Sequence, residues 1–282
     1  MDTCFFVSDL HGLEHRYDAL INAIRIRKPA IVFIGGDLFP HHSSSNYSEK
    51  NFANDFMLRT FSRLSEEMSC NYPDIFLIPG NDDRRSAEPY LLKGEEQNLW
   101  MYMHMRLTTL GKFKIFGYAC VPPTPFRLKD WERYDVSRYT DPGSIPPNEG
   151  IRTAAPDTDP EWATINDDLN QLTNDITLDN AIGLFHAPPY NSYLDRAALD
   201  GQMFEHVPLD VHIGSIAIER FIGEKQPYLT LHGHVHESAR LTGEWKQKFG
   251  RTWAFNAAHD GPELALVTFE LHDLSSALRE LI

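Results

Sequence analysis

The segment 229–238, LTLHGHVHES, places three histidines within five residues. Histidine is the commonest metal ligand and the side chain whose ordinary pKa lies nearest neutrality. His232, His234 and His236 are therefore candidates for a metal site or a pH-sensitive patch. Coincidence is a third reading in a chain with 13 histidines. The other polar residues of the chain are needed to choose among these three readings.

Polar side chains also follow an apolar run at four other places. These residues are Asp9 with His11, Asp37, Asn81 and His186. Short apolar runs are typical of buried strands, and open α/β sheets bind ligands just beyond the carboxyl ends of their strands. Any one of these residues is more simply a helix cap, a turn residue or a buried histidine. Five such segments together, including His234 with His236, favour one shared site.

Aspartate, asparagine and histidine without thiolates suit Mn, Fe, Zn, Mg or Ni. Two cations explain why so many ligands are present, because ions about 3.5–4 Å apart can hold the attacking and leaving oxygens of a phosphoryl displacement. A bridging carboxylate keeps such cations together despite their repulsion. Asp37 lies in the middle of the set and is the natural bridge.

The elements that position these residues alternate through the first third of the chain. We predict strands at 4–9, 30–37 and 74–82, with a helix near 17–24 and another at 48–68. This βαβαβ order predicts a parallel sheet with right-handed crossovers. Residues 99–120 then read as consecutive strands with a turn at Gly111-Lys112. A direct hairpin is antiparallel, so the sheet becomes mixed or a second sheet begins.

Residues 121–160 hold eight of the eighteen prolines, and we expect an ordered excursion that covers another part of the protein. The chemistry is shared across this excursion, so residues 1–282 are predicted to form a single domain. Beyond it we predict a helix that begins at Asp159 with Pro160 at its first position. The remaining predicted elements are a strand at 181–185, a helix from Ser215 to Phe221, strands at 228–231 and 263–271, and a short C-terminal helix.

The overall charge bears on partners and location. A net charge of −14 opposes affinity for nucleic-acid backbone or anionic membrane. No run approaches the roughly 20 apolar residues of a membrane helix. Three cysteines without metal-like spacing, and no visible signal peptide, favour a reduced cytoplasmic setting.

Five motifs in this order resemble the calcineurin-like metallophosphoesterase family: 8-SDLHG-12, 35-GGDLF-39, 79-PGND-82, 185-FHAPP-189 and 233-GHVH-236. The stretches PPTPFRLKD, HAPPYNSYLD, GSIAIERF and HGHVHES are also similar to a microbial phosphodiesterase-like branch. The resemblance implies an α/β fold, a four-layer α/β/β/α sandwich with mixed sheets.

The resemblance also implies a ligand set for two metals. Asp9, His11 and His236 would hold the first ion, and Asn81, His186 and His234 the second, with Asp37 between them. Asn81 would also approach the substrate phosphate. The implied cofactors are two divalent or mixed-valence ions, with Mn, Fe or Zn favoured. The implied reaction is hydrolysis of a phosphate ester by a metal-bridging hydroxide that attacks phosphorus in line.

One position departs from the family pattern. Many members read GNH, whereas this chain has Asp82 after Asn81, and Pro40 stands where some members have a supporting aspartate. A charged Asp82 would repel a phosphate dianion unless it is protonated or paired with Arg84 or Arg85. The leaving group would then be protonated by water, by another residue such as His212, or not at all. Phosphodiesters or activated phosphomonoesters are therefore the expected substrates.

Several further residues have two readings. Arg84, Arg127 and His212 are candidates for substrate binding, and Lys129 is a further cation near Arg127; surface charge or a plain loop histidine is the alternative. His41 and His42 either line the substrate side or lie in a solvated loop. His232 either orients a ligand or simply ends its strand, and Asn256 lies near the metals or in a turn.

The leading interpretation is a hydrolase with a binuclear metal centre that acts on a small phosphorylated substrate. A non-catalytic metal-binding interaction scaffold of the same fold is the alternative from another class, although it predicts degraded ligands and all seven positions are filled. A nuclease is the alternative among enzymes, and the acidic charge with no basic run counts against it.

Overall fold

The computed structural model describes residues 3–41, 48–174 and 176–282. Within these ranges the strands are β1 (Thr3–Val7), β2 (Ile31–Ile34), β3 (Asp74–Leu77), β4 (Met101–Tyr102), β5 (Arg106–Leu110), β6 (Phe113–Tyr118), β7 (Ala181–Phe185), β8 (Met203–Phe204), β9 (Val207–Pro208), β10 (Leu229–His232), β11 (Lys246–Phe249), β12 (Thr252–Asn256), β13 (Ala265–Glu270) and β14 (Asp273–Leu281). The α-helices are α1 (Glu14–Arg27), α2 (Glu49–Asn51), α3 (Arg59–Met68), α4 (Glu88–Glu96), α5 (Ile165–Thr173), α6 (Ile216–Lys225) and α7 (Ser238–Thr242).

Two six-stranded sheets form the centre of the protein. The first has the order β14-β13-β1-β2-β3-β4 and the second the order β11-β12-β10-β7-β6-β5. Strands β1 to β4 are parallel; β13 pairs antiparallel with β1, and β14 pairs antiparallel with β13. The central strands of the second sheet are also parallel, and its edge strands β5 and β11 are antiparallel. Both sheets are therefore mixed, as the sequence predicts.

Alternation along the strands explains why the sheets stack. Cys4 and Phe6 of β1 belong to the core between the sheets, whereas Phe5 and Val7 pack with residues of α1 and α3 on the other face. Successive side chains of a strand point to opposite faces, so each sheet buries both. The rings of Phe255 in β12 and Phe269 in β13 lie 5.6 Å apart and join the two sheets.

The second sheet is covered by α5 and α6 in the same way. Gly117 of β6 faces Ile78 near the first sheet, and its neighbour Phe116 points the other way. The ring of Phe116 lies 5.9 Å from that of Phe221 in α6. The layers are therefore helix, sheet, sheet and helix, which confirms the predicted α/β/β/α sandwich.

The second predicted helix is present but not uniform. Ser48 accepts a hydrogen bond from the Asn51 N–H at its start, and the chain is helical from Glu49 to Met68. Its middle, Phe52–Leu58, is π-helical, which the sequence did not indicate. The turn of the β5–β6 hairpin falls at Gly111, as predicted, with a φ of +56°.

Two predicted elements are wrong. The C-terminal segment is the strand β14, because it pairs antiparallel with β13. Its buried residues Leu274 and Ala277 are three apart, which imitates a helical period. Asp159 does not begin a helix but accepts turn hydrogen bonds; α5 starts at Ile165, where the Thr164 side chain caps it.

The excursion at 121–160 is ordered by backbone bridges between 121 and 132 and between 128 and 151. Trp131 and Tyr134 are buried in it, as expected of a segment that covers another part of the protein. No helix among the described residues has the length and apolar character needed to cross a membrane.

Candidate metal centre

The candidate ligands lie beyond the carboxyl ends of strands from both sheets. Backbone hydrogen bonds hold the ligand-bearing loops against one another. The Asp9 N–H donates to the Gly36 carbonyl at 3.0 Å, and the His11 N–H donates to the Asp37 carbonyl at 2.7 Å. The second sheet joins them because the Asp9 carboxylate accepts the His234 N–H at 3.1 Å.

The predicted ligands of the first metal form one cluster. Asp9, His11, Asp37 and His236 each offer a ligand atom within 4.8 Å of the other three. His11 Nε2 lies 3.0 Å from His236 Nε2, which in turn lies 3.1 Å from Asp9 Oδ1. His11 Nε2 is 3.9 Å from Asp37 Oδ2. This geometry suits a cation at the centre of the four side chains.

The predicted ligands of the second metal lie beside the first cluster. His186 Nε2 is 3.0 Å from Asn81 Oδ1 and 3.3 Å from Asp37 Oδ2. The ring of His234 lies 5.2 Å from that of His186. Asp37 Oδ2 is therefore shared by the two groups, and the structure brings all seven predicted residues together. Their roles as ligands remain predictions.

The hydrogen bonds of His186 test whether a cation fits. Its Nδ1 lies 2.7 Å from the Gly35 carbonyl oxygen, so Nδ1 carries the proton and Nε2 has a lone pair. This lone pair faces the oxygens of Asn81 and Asp37, so three acceptors meet without a donor. An extra proton or a divalent cation can resolve this arrangement, and the donor set fits the cation.

The pKa values of the site residues also indicate that positive charge is favoured there. Burial opposes charging of His186, but the carboxylate of Asp37 outweighs it and raises the pKa of His186 to about 10. Burial likewise opposes charging of His236, but the hydrogen bond to Asp9 raises the pKa of His236 to about 9. Burial would raise the pKa of Asp9, yet His236 holds it at about 2. A bound cation would take the place of these protons.

The backbone around the ligands is held in an unusual conformation. Four of the predicted ligands lie in the left-handed region, with φ values between +49° and +71°: Asp9, His11, Asp37 and His234. Such conformations are costly for residues other than glycine and concentrate at functional sites. Glycine permits close approach beside them, because a Cβ on Gly233 would lie 2.6 Å from Asp9 Oδ2, and one on Gly80 would overlap Asp37 Oδ1.

Asp83 is a site residue that the sequence did not reveal. Its fully buried carboxylate accepts the N–H groups of Leu38 at 2.9 Å, Phe39 at 2.8 Å and Gly80 at 2.8 Å. It therefore fastens the loop of Asp37 to the loop of Asn81. The sequence feature that points to Asp83 is the second of the two aspartates in PGNDD, but the motif comparison uses only the first, Asp82. Arg16, also unforeseen, is buried and donates to the carbonyl oxygens of Asp9 and Gly261.

Asp82 pairs with a histidine and not with an arginine. Its N–H donates to Asp37 Oδ1 at 2.9 Å, and its Oδ2 lies 3.3 Å from His41 Nε2. Arg84 instead faces Glu49, with 3.6 Å between Nε and Oε1, and Arg85 binds Asp157. Of the two alternatives that the sequence left open for Asp82, pairing with Arg84 or Arg85 is therefore wrong. Burial and the charge of Asp37 raise the pKa of Asp82 to about 7.

His41 lies at the site, which favours the first of its two readings. Its ring stacks on that of His11 with centroids 4.7 Å apart. His11, His41 and Asp82 form a second group of close donor atoms. His42 falls outside the described residues.

The other cations proposed for the excursion do not join the cluster. Lys129 is buried and bound to Glu132 at 2.5 Å and to the Thr124 carbonyl at 2.8 Å, so its reading as a phosphate-binding residue is wrong. Arg127 is exposed, and neither a hydrogen bond of its side chain nor a contact with the ligand cluster is seen among the described residues.

His212 and His232 each have a defined partner outside the cluster. His212 Nδ1 lies 2.8 Å from the buried carboxylate of Asp195, in the loops that follow β7 and β9. His232 uses both ring nitrogens, at 2.8 Å from the Ala187 carbonyl and 2.8 Å from Thr230 Oγ1. His232 thus contacts the residue after His186 and is not a ligand.

Asn256 supports the same loops. It donates to the Leu194 carbonyl at 2.8 Å and accepts the Ala258 N–H at 2.7 Å. The simpler reading of Asn256, a turn asparagine, agrees with these bonds.

Fold and site together describe a two-sheet α/β protein whose strand ends gather a histidine and aspartate cluster of metal-binding type. The family model for calcineurin-like phosphoesterases matches residues 3–238. The chain therefore belongs to the calcineurin-like phosphoesterase family.

Solved structures resemble this chain at low identity. One crystal structure superposes with a TM-score of 0.60 at 14% identity, over 99% of this chain and 98% of that one. The protein TT1561 of Thermus thermophilus gives 0.56 at 14% identity, over the same shares. An archaeal phosphodiesterase is more distant, with a TM-score of 0.46, 9% identity and 99% of both chains covered. At this identity the likeness extends to the fold alone. No curated protein matches the sequence.

Proposed function

We propose that this protein hydrolyses a phosphodiester or an activated phosphomonoester of a small molecule with two metal ions. The observation that carries the proposal is the position of Asp37, whose Oδ2 lies 3.9 Å from His11 Nε2 and 3.3 Å from His186 Nε2. One carboxylate thus stands between two groups of ligands. Family membership supports the class of reaction.

The residues of the chain prepare the site before any substrate binds. Asp9, His11 and His236 would hold one ion, Asn81, His186 and His234 the other, and Asp37 both. The Gly35 carbonyl fixes the ring of His186, and the three N–H groups bound by Asp83 fix the loop of Asp37. Bound there, two divalent ions supply an activated water at neutral pH and offset charge on the phosphoryl oxygens.

Asn81 and Asp82 face the reacting phosphate differently. The Asn81 amide donates to Asp82 Oδ1 at 3.2 Å, and its oxygen lies 3.0 Å from His186 Nε2, on the side where the second ion would bind. Asp82 has no proton to give when it is charged, which leaves departure of the alcohol to the quality of the leaving group. Aryl esters and diesters are therefore the expected substrates.

The test is an activity screen of protein reconstituted separately with Mn, Fe and Zn. The panel contains p-nitrophenyl phosphate, bis(p-nitrophenyl) phosphate, cyclic nucleotides, dinucleotide polyphosphates, and DNA and RNA. We expect turnover of aryl esters and loss of all turnover in Asp37→Asn. Asp179→Asn is the matched control, because Asp179 is 69% exposed and pairs with Arg251 at the surface.

Three results would contradict the proposal. Full activity of Asp37→Asn would exclude the shared carboxylate. A protein that binds two metals per chain but hydrolyses no ester would favour the scaffold alternative. Greater activity on DNA or RNA than on small esters would favour a nuclease.

A further inference from the structure

Arg16 is a buried cation in the first turn of α1. This helix begins at Glu14, and its first turn is the positive end of the helix dipole, where a cation is unfavourable. Leu13 at the N-cap has no side-chain oxygen that could accept the free N–H groups of this turn. Arg16 is only 5% exposed, and arginine is rarely so buried unless it is paired. Local preference thus opposes an arginine at this position, and tertiary contacts must account for it.

The partners of Arg16 are backbone carbonyl oxygens in two separate loops. One terminal nitrogen, Nη1, donates to the Asp9 carbonyl, and the other, Nη2, donates to the Gly261 carbonyl at 2.6 Å. Its Nε lies 3.5 Å from the Pro262 carbonyl oxygen, which is also 2.8 Å from His15 Nε2. The planar guanidinium holds its donors in fixed directions, so these bonds set the distance between the two loops.

The two loops that Arg16 joins lead to different sheets. Asp9 follows β1 of the first sheet, whereas Gly261 lies between β12 of the second sheet and β13 of the first. The start of this connecting segment is bonded to the second sheet beside the candidate ligands, because the Ala257 N–H donates to the His232 carbonyl at 3.1 Å. Arg16 therefore connects the loop after β1 to the segment that borders the end of β10.

The predicted ligands of the first metal come from both sheets. Asp9 and His11 follow β1, whereas His236 follows β10, and Asp9 Oδ1 lies 3.1 Å from His236 Nε2. Asp9 has a φ of +58°, a conformation that is costly for a residue other than glycine and that surrounding contacts must maintain. Its carbonyl is the atom that Arg16 binds, so loss of Arg16 would free Asp9 to leave this conformation.

The ligands of the second metal are held mainly by other bonds. His186 Nδ1 lies 2.7 Å from a carbonyl oxygen of the loop after β2, and Asp83 fastens that loop to the loop after β3. One link to Asp9 exists, since its carboxylate accepts the His234 N–H at 3.1 Å. A change at Arg16 should therefore weaken binding of the first ion strongly and binding of the second ion only slightly.

We propose that Arg16 is a positioning residue for the first metal. It places Asp9 against His236 by joining the loop after β1 to the segment between β12 and β13. Arg16 acts through Asp9 and is itself neither a ligand nor a substrate contact. This inference rests on the proposed function, because it concerns the first ion of the same site. Contacts that orient a metal ligand usually contribute about 10- to 100-fold to metal affinity.

The experiment measures Mn affinity by calorimetry at each position separately. The Asn81→Ala background removes a ligand of the second ion and leaves the first position, whereas His236→Gln does the reverse. In the Asn81→Ala background we expect Arg16→Lys to weaken Mn affinity about 10- to 100-fold. The reason is that an ammonium group keeps the charge but cannot hold both carbonyls in the geometry of the guanidinium. In the His236→Gln background the same substitution should weaken Mn affinity by less than about threefold.

The controls separate positioning from general damage to the fold. Arg25→Lys is the matched change in both backgrounds, because Arg25 lies in the same helix, is 44% exposed and binds Glu67 at the surface. Unfolding in chelator measures the loss of stability in every variant. Arg16→Met removes all the donors and should weaken the first position at least as much as Arg16→Lys; if Arg16→Met does not fold, Arg16→Lys decides.

Two results would overturn the positioning role. Equal losses of Mn affinity in the two backgrounds would make Arg16 a general structural residue. Unchanged affinity of Arg16→Lys in the Asn81→Ala background would show that Asp9 keeps its place without the guanidinium.

Failure of the proposed function gives a different result. A wild-type protein that binds two Mn ions but hydrolyses no ester would refute the function and leave this test valid, because the measured quantity is affinity. If the Asn81→Ala protein binds no Mn while the His236→Gln protein does, the first position does not exist as described and the inference is wrong. If neither the wild type nor these variants bind Mn, both the inference and the two-metal function are wrong.

Discussion

Replacement of Asp83 by asparagine tests whether the candidate site is assembled by the fold before metal binds. The Asp83 carboxylate accepts three backbone N–H groups, from Leu38 and Phe39 in one loop and Gly80 in the other. The substituted side chain would keep one acceptor oxygen for the first loop. Its amide group would then face the Gly80 N–H, 2.8 Å away from the carboxylate in the wild type, donor against donor.

The expected loss is about 2–3 kcal/mol in the free energy of unfolding. One buried N–H left without an acceptor costs about 1–3 kcal/mol, and the remaining bonds weaken by about half when their acceptor loses its charge. Burial and Asp37 raise the pKa of Asp83 well above its usual range, so removal of the charge returns part of this loss. The net effect remains destabilising because the three N–H groups stay buried.

The assay is guanidinium unfolding of the protein in excess chelator, since bound metal would stabilise the folded state in proportion to its affinity. Asp179→Asn is the matched control, because it makes the same chemical change at an exposed ion pair with Arg251, and we expect its stability to change by less than about 0.5 kcal/mol. Metal content after dialysis should fall in Asp83→Asn. Equal stability of Asp83→Asn and wild type in chelator would refute the reasoning.

Three further changes test other parts of the structure. Gly233→Ala should lower metal content because its Cβ would lie 2.6 Å from Asp9 Oδ2, whereas Gly223→Ala, with open space beside it in α6, should keep the metals; equal metal content in both would contradict this. Lys129→Met should lower the free energy of unfolding by about 3–5 kcal/mol, because it leaves buried Glu132 without its charge partner. The added change Glu132→Leu should recover most of this loss in denaturant unfolding. Additive losses would contradict this. In chelator, His186 has a pKa raised from 6.5 to about 10, so its stabilisation is complete below pH 6.5 and is lost as pH rises towards 10. The metal-loaded protein should lack this slope in pH-dependent unfolding.

The ligand loops could be predicted because strand ends have a clear local pattern. In β1, β2, β3, β7 and β10 an apolar run gives way to a polar donor within a few residues, and all five strands exist. Which loops meet depends on the tertiary structure, which no single segment of the sequence specifies. The order of the motifs supplied it here through resemblance to a family.

The errors came from interactions between distant residues. The C-terminal segment was predicted as a short helix, yet pairing with β13 makes it the strand β14. An arginine close in sequence was one of two alternatives for Asp82, the other being protonation, but His41 reaches it from another loop. Asp83 was overlooked because its partners are backbone N–H groups, which carry no sequence signal.

The distribution of carboxylates at the site explains why metal binding and folding should be linked. Asp9, Asp37 and Asp83 are fully or almost fully buried, and Asp82 lies beside them, so four carboxyl groups share one region. Buried charges are costly unless opposite charges or hydrogen bonds compensate them. Asp83 is compensated by backbone N–H groups, whereas Asp9 and Asp37 face His236 and His186. Those histidines can supply positive charge as protons, or cations can take the place of these protons, so we expect metal binding to stabilise the fold.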